Sequence, residues 1–456
     1  MTATTLPFKG AGADATLEKR PSGRGILIVF LIAAMVLIVH AWSFLPFISD
    51  DALISLRYSR RLLDGHGLTW TDGPRVEGYT NLLWVLACAA LGGLHIDLIV
   101  ASRILGFAGM IASLAGIAYS QRRRCGTIGP FLGCVGLAMT APIAVWTIGG
   151  MEQPFVAAPL GWAIAFCLNA LSAEAAKRSL PAASLCLGLL CLTRADGGVL
   201  CIAIALGLLL AGGFGVRSWR QVLTLAIFPV LLGGGQLIFR RVYYNEWLPN
   251  PARVKVAFTA DRIASGLAYL RDASPYVGLF LLLAVSGAIM GLRRPDSRAR
   301  TWVLIIVLLF TIGYTALIGG DVFPTHRHFV PILVIAAFLA AQIELPINAM
   351  SLIASCLLLA GLGAVQRFDP EVRRAIEEHW EWDGQRVGEL LRTAFGKSDP
   401  LIACDPAGCI PYFTGFRSID MMGLNDYHIA HNRPADFGRG RLGHELGDGK
   451  YVLDQK

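Results

Sequence analysis

Two adjacent carboxylates, Asp50 and Asp51, stand immediately after the first long apolar run, and Arg57, Tyr58, Arg60, His66, Glu77, Tyr79 and Asn81 follow in the same polar segment. A carboxylate can take a proton from a hydroxyl and guanidinium groups can hold a phosphate, so the segment has the residue types for acid–base work on a phosphorylated substrate. On a helix beginning near Asp51, Arg57 and Arg61 share a face with Arg60 beside it. The plainer reading is capping, because Ser49 or Asp50 suits the N-cap of a helix over residues 52–63.

These residues need a scaffold, and composition says which kind. The 456 residues are 55% hydrophobic and only 16% charged, with a mean hydropathy of +0.56. That is a chain whose solvent is lipid. Its net charge of +8 does not point to nucleic acid, since the basic residues sit in short clusters between apolar runs, where they orient helices. Residues 1–25 are polar and basic, and the run behind them is long enough to span, so they read as a cytoplasmic tail before an uncleaved anchor.

Apolar runs of spanning character fall near residues 26–47, 99–119, 128–148, 154–172, 180–193, 197–215, 221–239, 276–292, 301–318, 328–345 and 348–365, about eleven in all. A further run over 79–96 decides orientation. If it does not cross, the N-terminal cluster, Arg122 to Arg124, Lys177 with Arg178, Arg217 with Arg220, and Arg293, Arg294, Arg298 and Arg300 share one face, which the positive-inside bias makes the cytoplasm. If it crosses, every later cluster lands outside. A re-entrant or interfacial helix is therefore expected over 79–96, within a first outer loop spanning residues 48–97.

The same parity gathers residues 49–81, 149–153, 240–273 and 319–327, with the tail after Arg367, on the outer face of a bacterial inner membrane. The expected fold is an all-α polytopic membrane domain over 26–366, followed by a small α/β periplasmic domain over 367–456. Eight of the ten cysteines, among them Cys125, lie in or beside apolar runs as packing residues. Cys404 and Cys409, in CDPAGC, can form a disulfide in an oxidising compartment or remain free thiols.

The stretches DDALISLRYSRRLLDGHGLTW and VEGYTNLLWVL, then IGGMEQPFVAA, LTRADG, YYNEWLPNPARVK, GGDVFPTHRHFVP and GCIPYFTGFRSIDMMGLNDYHIAH, resemble blocks of the GT-C superfamily of integral-membrane glycosyltransferases. They are most similar to the branch that includes mycobacterial terminal β-(1→2)-arabinofuranosyltransferases, and they occur in order over most of the chain. The resemblance implies a sugar donor carried on a polyprenyl phosphate, an envelope glycan or glycolipid acceptor, and a single inverting displacement at the outer membrane surface.

Such a displacement needs a base for the acceptor hydroxyl and cations for the departing phosphate. The resemblance makes Asp50 or Asp51 the base. The other Asp is a candidate ligand for a divalent cation, the one cofactor considered. Arg253 and Lys255 are the favoured phosphate contacts, with Arg57, Arg194 and Arg327 as further candidates, each also readable as a snorkelling interfacial cation. In this chain Pro251 and Ala252 follow Asn250, where the family pattern continues with threonine and aromatic residues. Glu152 and Asp321, flanked by glycines, are expected to meet sugar hydroxyls. Glu77, Tyr79, Asn81, Asp196, Asn250 and His326 complete the candidate substrate contacts, with a local Arg194–Asp196 ion pair as the plainer alternative for Asp196. His326 and His328 read as neutral hydrogen-bonding groups. The rival readings are a transporter or flippase of lipid-linked sugars and a non-catalytic envelope or motor-control scaffold.

Overall fold

Apolar runs in lipid must satisfy their backbone groups internally, which makes helices of nearly all of them. The computed structural model describes residues 23–123 and 126–455; Arg124, Cys125 and the basic tail over 1–22 lie outside the described residues. The chain opens with α1 (Gly23–Trp42), then the amphipathic α2 (Asp50–Leu63), α3 (Leu82–Gly92) and α4 (Leu98–Gln121). The run over 128–148 folds as α5 (Ile128–Ala138) and α6 (Ala141–Ile148), bent by 53°. Next come α7 (Gln153–Ala170), α8 (Ala173–Thr193), α9 (Gly197–Ala211), α10 (Val216–Phe228) and α11 (Gly234–Tyr244), the last two joined through one π turn. The short α12 (Asn250–Lys255) precedes the long α13 (Ala260–Arg293), α14 (Pro295–Leu317), α15 (Phe329–Ala340) and α16 (Ala349–Arg367).

Among the described residues, eight helices are long and apolar enough to cross a membrane, or nine with the bent α5–α6 pair as one span. The expected count of about eleven is reached only with α9 and α15, which have 15 and 12 residues. At a rise of ~1.5 Å per residue both fall short of a bilayer core of ~30 Å. The shortfall of α15 has a packing reason: every one of its residues except Pro331 is buried, so its continuous apolarity fills the centre of the bundle. The 79–96 run forms the 11-residue α3, too short to cross.

Close seams hold the bundle. A Cβ on Gly106 would lie 1.9 Å from the Thr147 carbonyl oxygen, and one on Gly109 would lie 2.8 Å from that of Pro154. Small residues let helix backbones approach in this way where lipid supplies no hydrophobic drive between helices. At the α5–α6 bend, the Gln366 side chain of α16 donates to the Met139 carbonyl at 2.8 Å and accepts from the Ala141 amide, serving backbone groups that the bend frees.

The tail carries α17 (Pro370–Glu377), α18 (Trp380–Phe395), β1 (Ile402–Cys404), α19 (Cys409–Thr414), β2 (Ser418–Asp420), α20 (Tyr427–His431) and α21 (Gly449–Asp454). β1 and β2 pair in parallel, Ile402 opposite Ser418 and Cys404 opposite Asp420. With three residues each, the strands form a clasp inside a helical segment. The tail is pinned to the first loop and α13: Arg60 reaches the Tyr412 carbonyl at 3.1 Å, and the buried Arg262 pairs with Glu445. Cys404 and Cys409 are both buried free thiols.

Candidate active site

Helix ends at one end of the bundle surround a cavity with about 1050 Å³ of empty space. Its walls come from α2 (Asp51, Ser55), the loop before α3 (Tyr79, Asn81), the α6–α7 turn (Met151, Glu152), the α8–α9 turn (Arg194, Asp196), α12 (Lys255) and the turn before α15 (Asp321, Arg327, His328). The tail adds Leu424 and Leu442. Segments far apart in sequence thus meet where alternation of the spans had placed them, at a common end.

Asp50 and Asp51 diverge. Asp51 faces the cavity, and its Oδ2 accepts from Lys255 Nζ at 3.1 Å. Burial pushes its pKa up, but Lys255 and Arg327 outweigh this and hold it below the usual carboxylate value. Asp50 turns to the tail: its carboxyl accepts the Gly408 amide at 2.9 Å and the Cys409 amide at 2.6 Å. Burial raises its pKa to about 7 against the pull of those two amides, with the Asp51 charge adding to the rise. The two carboxyls thus meet different surroundings, and no group of three His, Cys, Asp or Glu among the described residues is placed to hold a metal ion.

Behind Asp51 runs a continuous polar chain. Asn81 Nδ2 donates to Glu152 Oε2 at 2.9 Å, and Glu152 Oε1 accepts from Arg194 Nη1 at 3.1 Å. Arg194 grips Asp196 in a two-point contact at 2.7 and 2.9 Å. The Tyr314 hydroxyl closes the chain on Asp196 at 2.7 Å. Burial opposes the Asp196 charge, yet Arg194 and Tyr314 hold its pKa far below the carboxylate range. Opposite, Arg327 donates from Nε to Asp321 at 2.6 Å and from Nη1 to the Met151 sulfur at 3.0 Å, leaving further N–H donors uncommitted. Burial, with the charges of Arg194 and Arg327, lowers the pKa of His328 well below its ordinary value.

The other candidates lie elsewhere. Arg57 is buried and spends its guanidinium on the carbonyls of Trp70, Pro411 and Phe416. Glu77 pairs with Arg240 inside the protein. Arg253 pairs with Glu246 at 2.6 Å, and Asn250 donates to the Asp426 and Gly423 carbonyls. His326, held at 2.6 Å from the Tyr276 hydroxyl, lines a neighbouring cavity. The sequence did not single out Tyr314, which sits inside an apolar run where only its phenol marks it, and of the two histidines, whose spacing alone cannot rank them, it made only His326 a substrate contact.

A smaller branch with about 500 Å³ of empty space shares Arg194, Asp196, Tyr314, Arg327 and His328 with the main cavity. It then continues along Val156, Leu190, Val199, Leu200 and Pro331 into the apolar part of the bundle. A polar, ion-paired end thus leads directly to an apolar channel.

This architecture is the GT-C membrane fold. Solved structures with the same fold include that of ArnT from Cupriavidus metallidurans bound to undecaprenyl phosphate, with a TM-score of 0.64, 14% identity and coverage of 88% of this chain and 86% of that one. The oligosaccharyltransferase of Archaeoglobus fulgidus matches with a TM-score of 0.58 and 12% identity, over 87% of this chain and 64% of that one. In sequence the chain is arabinofuranosyltransferase-like. It is 27% identical over 347 residues to the terminal β-(1→2)-arabinofuranosyltransferase of Corynebacterium glutamicum, covering 66% of this chain and 48% of that protein. It is also 27% identical over 283 residues to the protein of the same name from Mycobacterium tuberculosis, covering 59% and 44%. The chain thus spans less than half the length of these relatives. Residues 371–455 match the model of a domain of unknown function, DUF8728.

Proposed function

We propose that the protein is a membrane glycosyltransferase that takes a sugar from a polyprenyl-phosphate donor and passes it to an envelope glycan or glycolipid, with Asp51 as the general base. The observation that carries this reading is a carboxylate, Asp51, hydrogen-bonded to Lys255 in a cavity that also holds Arg194 and Arg327 where the cavity enters an apolar branch. A lipid-linked donor needs that combination: cations for its phosphate and an apolar path for its tail.

An inverting displacement puts base and leaving group on opposite faces of the sugar. Lys255, hydrogen-bonded to Asp51, belongs to the base side, where it keeps the carboxylate ionised and positioned. Arg327 and Arg194, at the mouth of the apolar branch, are the phosphate contacts. Asp51 takes the proton of the acceptor hydroxyl, whose oxygen bonds to the anomeric carbon as the bond from that carbon to the phosphate oxygen breaks. The electron pair leaves with the polyprenyl phosphate, and its charge is met by the guanidinium groups. Asn81, Glu152 and Asp321 are placed to bond sugar hydroxyls. The relatives' names make arabinofuranose the first donor to try. Loop parity together with the positive-inside bias supports a site on the extracytoplasmic face of a bacterial inner membrane, with the N-terminus in the cytoplasm.

The test is transfer of radiolabelled sugar from a panel of synthetic polyprenyl-phosphate donors to membrane glycans by purified protein, with Asp51→Asn alongside. Transfer from one donor that the variant loses is the expected result. Folded wild-type protein without turnover on any donor overturns the reading and favours transport or scaffolding.

A further inference from the structure

A second cavity adjoins the first and has no occupant in the reaction just described. It has about 930 Å³ of empty space and lies among the first turns of α13, the turn before α15, α17 and tail residues 440–442. Asp321, Val322, Phe323 and Leu442 line both cavities, so the two adjoin along these residues. In contrast to the inner apolar branch, this trough is polar and its ionisable groups balance: Arg262, Arg374 and Arg441 against Asp272, Asp321 and Glu371. Five of these are held in ion pairs: Arg262 by Glu445, Arg374 by Glu378 at 2.8 Å, Asp321 by Arg327 at 2.6 Å, Asp272 by Arg271 at 2.9 Å and Glu371 by Arg374 at 3.7 Å. The rings of Tyr269 and His326, 4.4 Å apart between centroids, form part of its lining.

A phosphorylated or carboxylated ligand is best met by an excess of cations. A neutral oligosaccharide instead offers hydroxyls that both donate and accept, and its apolar ring faces suit aromatic side chains; a lining with balanced donors and acceptors matches it. We propose that the trough is the acceptor subsite, taking a neutral oligosaccharide whose terminal hydroxyl reaches Asp51 past the shared residues Asp321, Val322 and Phe323. This rests on the glycosyltransferase reading and assigns the two openings: the apolar branch to the donor lipid, the polar trough to a water-soluble glycan end. Ser265, exposed on the first turns of α13 and bonded only to the Asp261 carbonyl one turn back, is the position at which bulk would fill the trough.

The test uses the full chain in lipid nanodiscs, neutral pentose and hexose oligosaccharides carrying a diazirine, and a carboxylated oligosaccharide of equal length. Photolabelling by a neutral probe within residues 262–272, 371–374 or 440–442 is expected. Ser265→Trp should weaken it about tenfold, equivalent to ~1.4 kcal/mol. Arg441→Glu, a change on an exposed loop, should also weaken it, which keeps the test open if the tryptophan variant does not fold. No label in these segments, label indifferent to both changes, or preference for the carboxylated probe overturns the proposal. Labelling needs no turnover, so the two readings fail separately. An inactive wild type that still binds the neutral probe here sinks the transferase reading, whereas an active one whose acceptor KM ignores Ser265→Trp sinks the subsite alone.

Discussion

Asp50 and Asp51 are neighbours in sequence with opposite surroundings, because successive residues of a helix point ~100° apart. Sequence could place a carboxylate pair at the start of α2, but which one meets the cavity depends on where the tail docks some 360 positions later. The structure makes the two substitutions separable. Asp51→Asn should lower transfer by about 10²–10⁴-fold, the usual worth of a positioned base, with the thermal midpoint nearly unchanged. Equal activity in the variant and the wild type would refute the role of Asp51. Asp50 should instead report through stability and pH. Its folded pKa of about 7 lies above the ordinary 3.8, so between these values the folded protein binds more protons than the unfolded chain. The contribution of Asp50 is then full below the unfolded pKa and is lost as pH rises through about 7. Glu381, raised to about 8 chiefly by burial and facing the same carboxyl, acts in the same direction. Thermal unfolding should show the midpoint falling from pH 5 to pH 8.5, with a shallower fall in Asp50→Asn; an equally steep fall in that variant would exclude Asp50 as a source.

At the scale of elements, the apolar runs told where helices lie but not what surrounds them. α3 and α15 have nearly the same apolar character as the spans, yet one is an 11-residue helix beside α2 and the other the buried centre of the bundle. Hydropathy measures freedom from charge, and a lipid-facing helix and a protein-buried one satisfy it equally. The turns were more legible, since GGMEQP and GGDVFPTHRH both reach the cavity. Gly320 shows why glycine stands there: its φ is +71°, and an added Cβ would lie 2.3 Å from Tyr269 Cγ. Gly320→Ala should therefore lower stability by about 1–3 kcal/mol and shift Asp321, reducing transfer. Gly313→Ala, on α14 with nothing within 4 Å of the new methyl group, should leave both unchanged. Matching midpoints for the two variants in thermal unfolding would show that the turn can relax.

The whole molecule has two chemically distinct ends, and this is what the orientation rests on. At one end lie the cavity and the tail. At the other, Arg300 reaches the Ser120 carbonyl at the end of α4, Arg217 reaches that of Leu171 after α7, and Arg294 bonds the Gln342 carbonyl beyond α15. Basic groups from separate loops thus converge there, as expected for a cytoplasmic face. Had α3 crossed, the start of α2 and the α6–α7 turn could not share an end, yet the Ser49 amide donates to the Gly149 carbonyl at 3.1 Å. Which end faces outward is a matter of charge bias alone, and it can be measured. In a background whose native cysteines are replaced, Ser265→Cys at the cavity end should react with a membrane-impermeant maleimide in intact spheroplasts. Arg220→Cys, exposed at the basic end, should react only after the membrane is opened. The reverse pattern would put Asp51 and the trough on the cytoplasmic side, where a donor presented on the outer leaflet could not reach them. Labelling of both positions in intact cells would mean that the two ends are not separated by the bilayer, and the span assignment itself would fail.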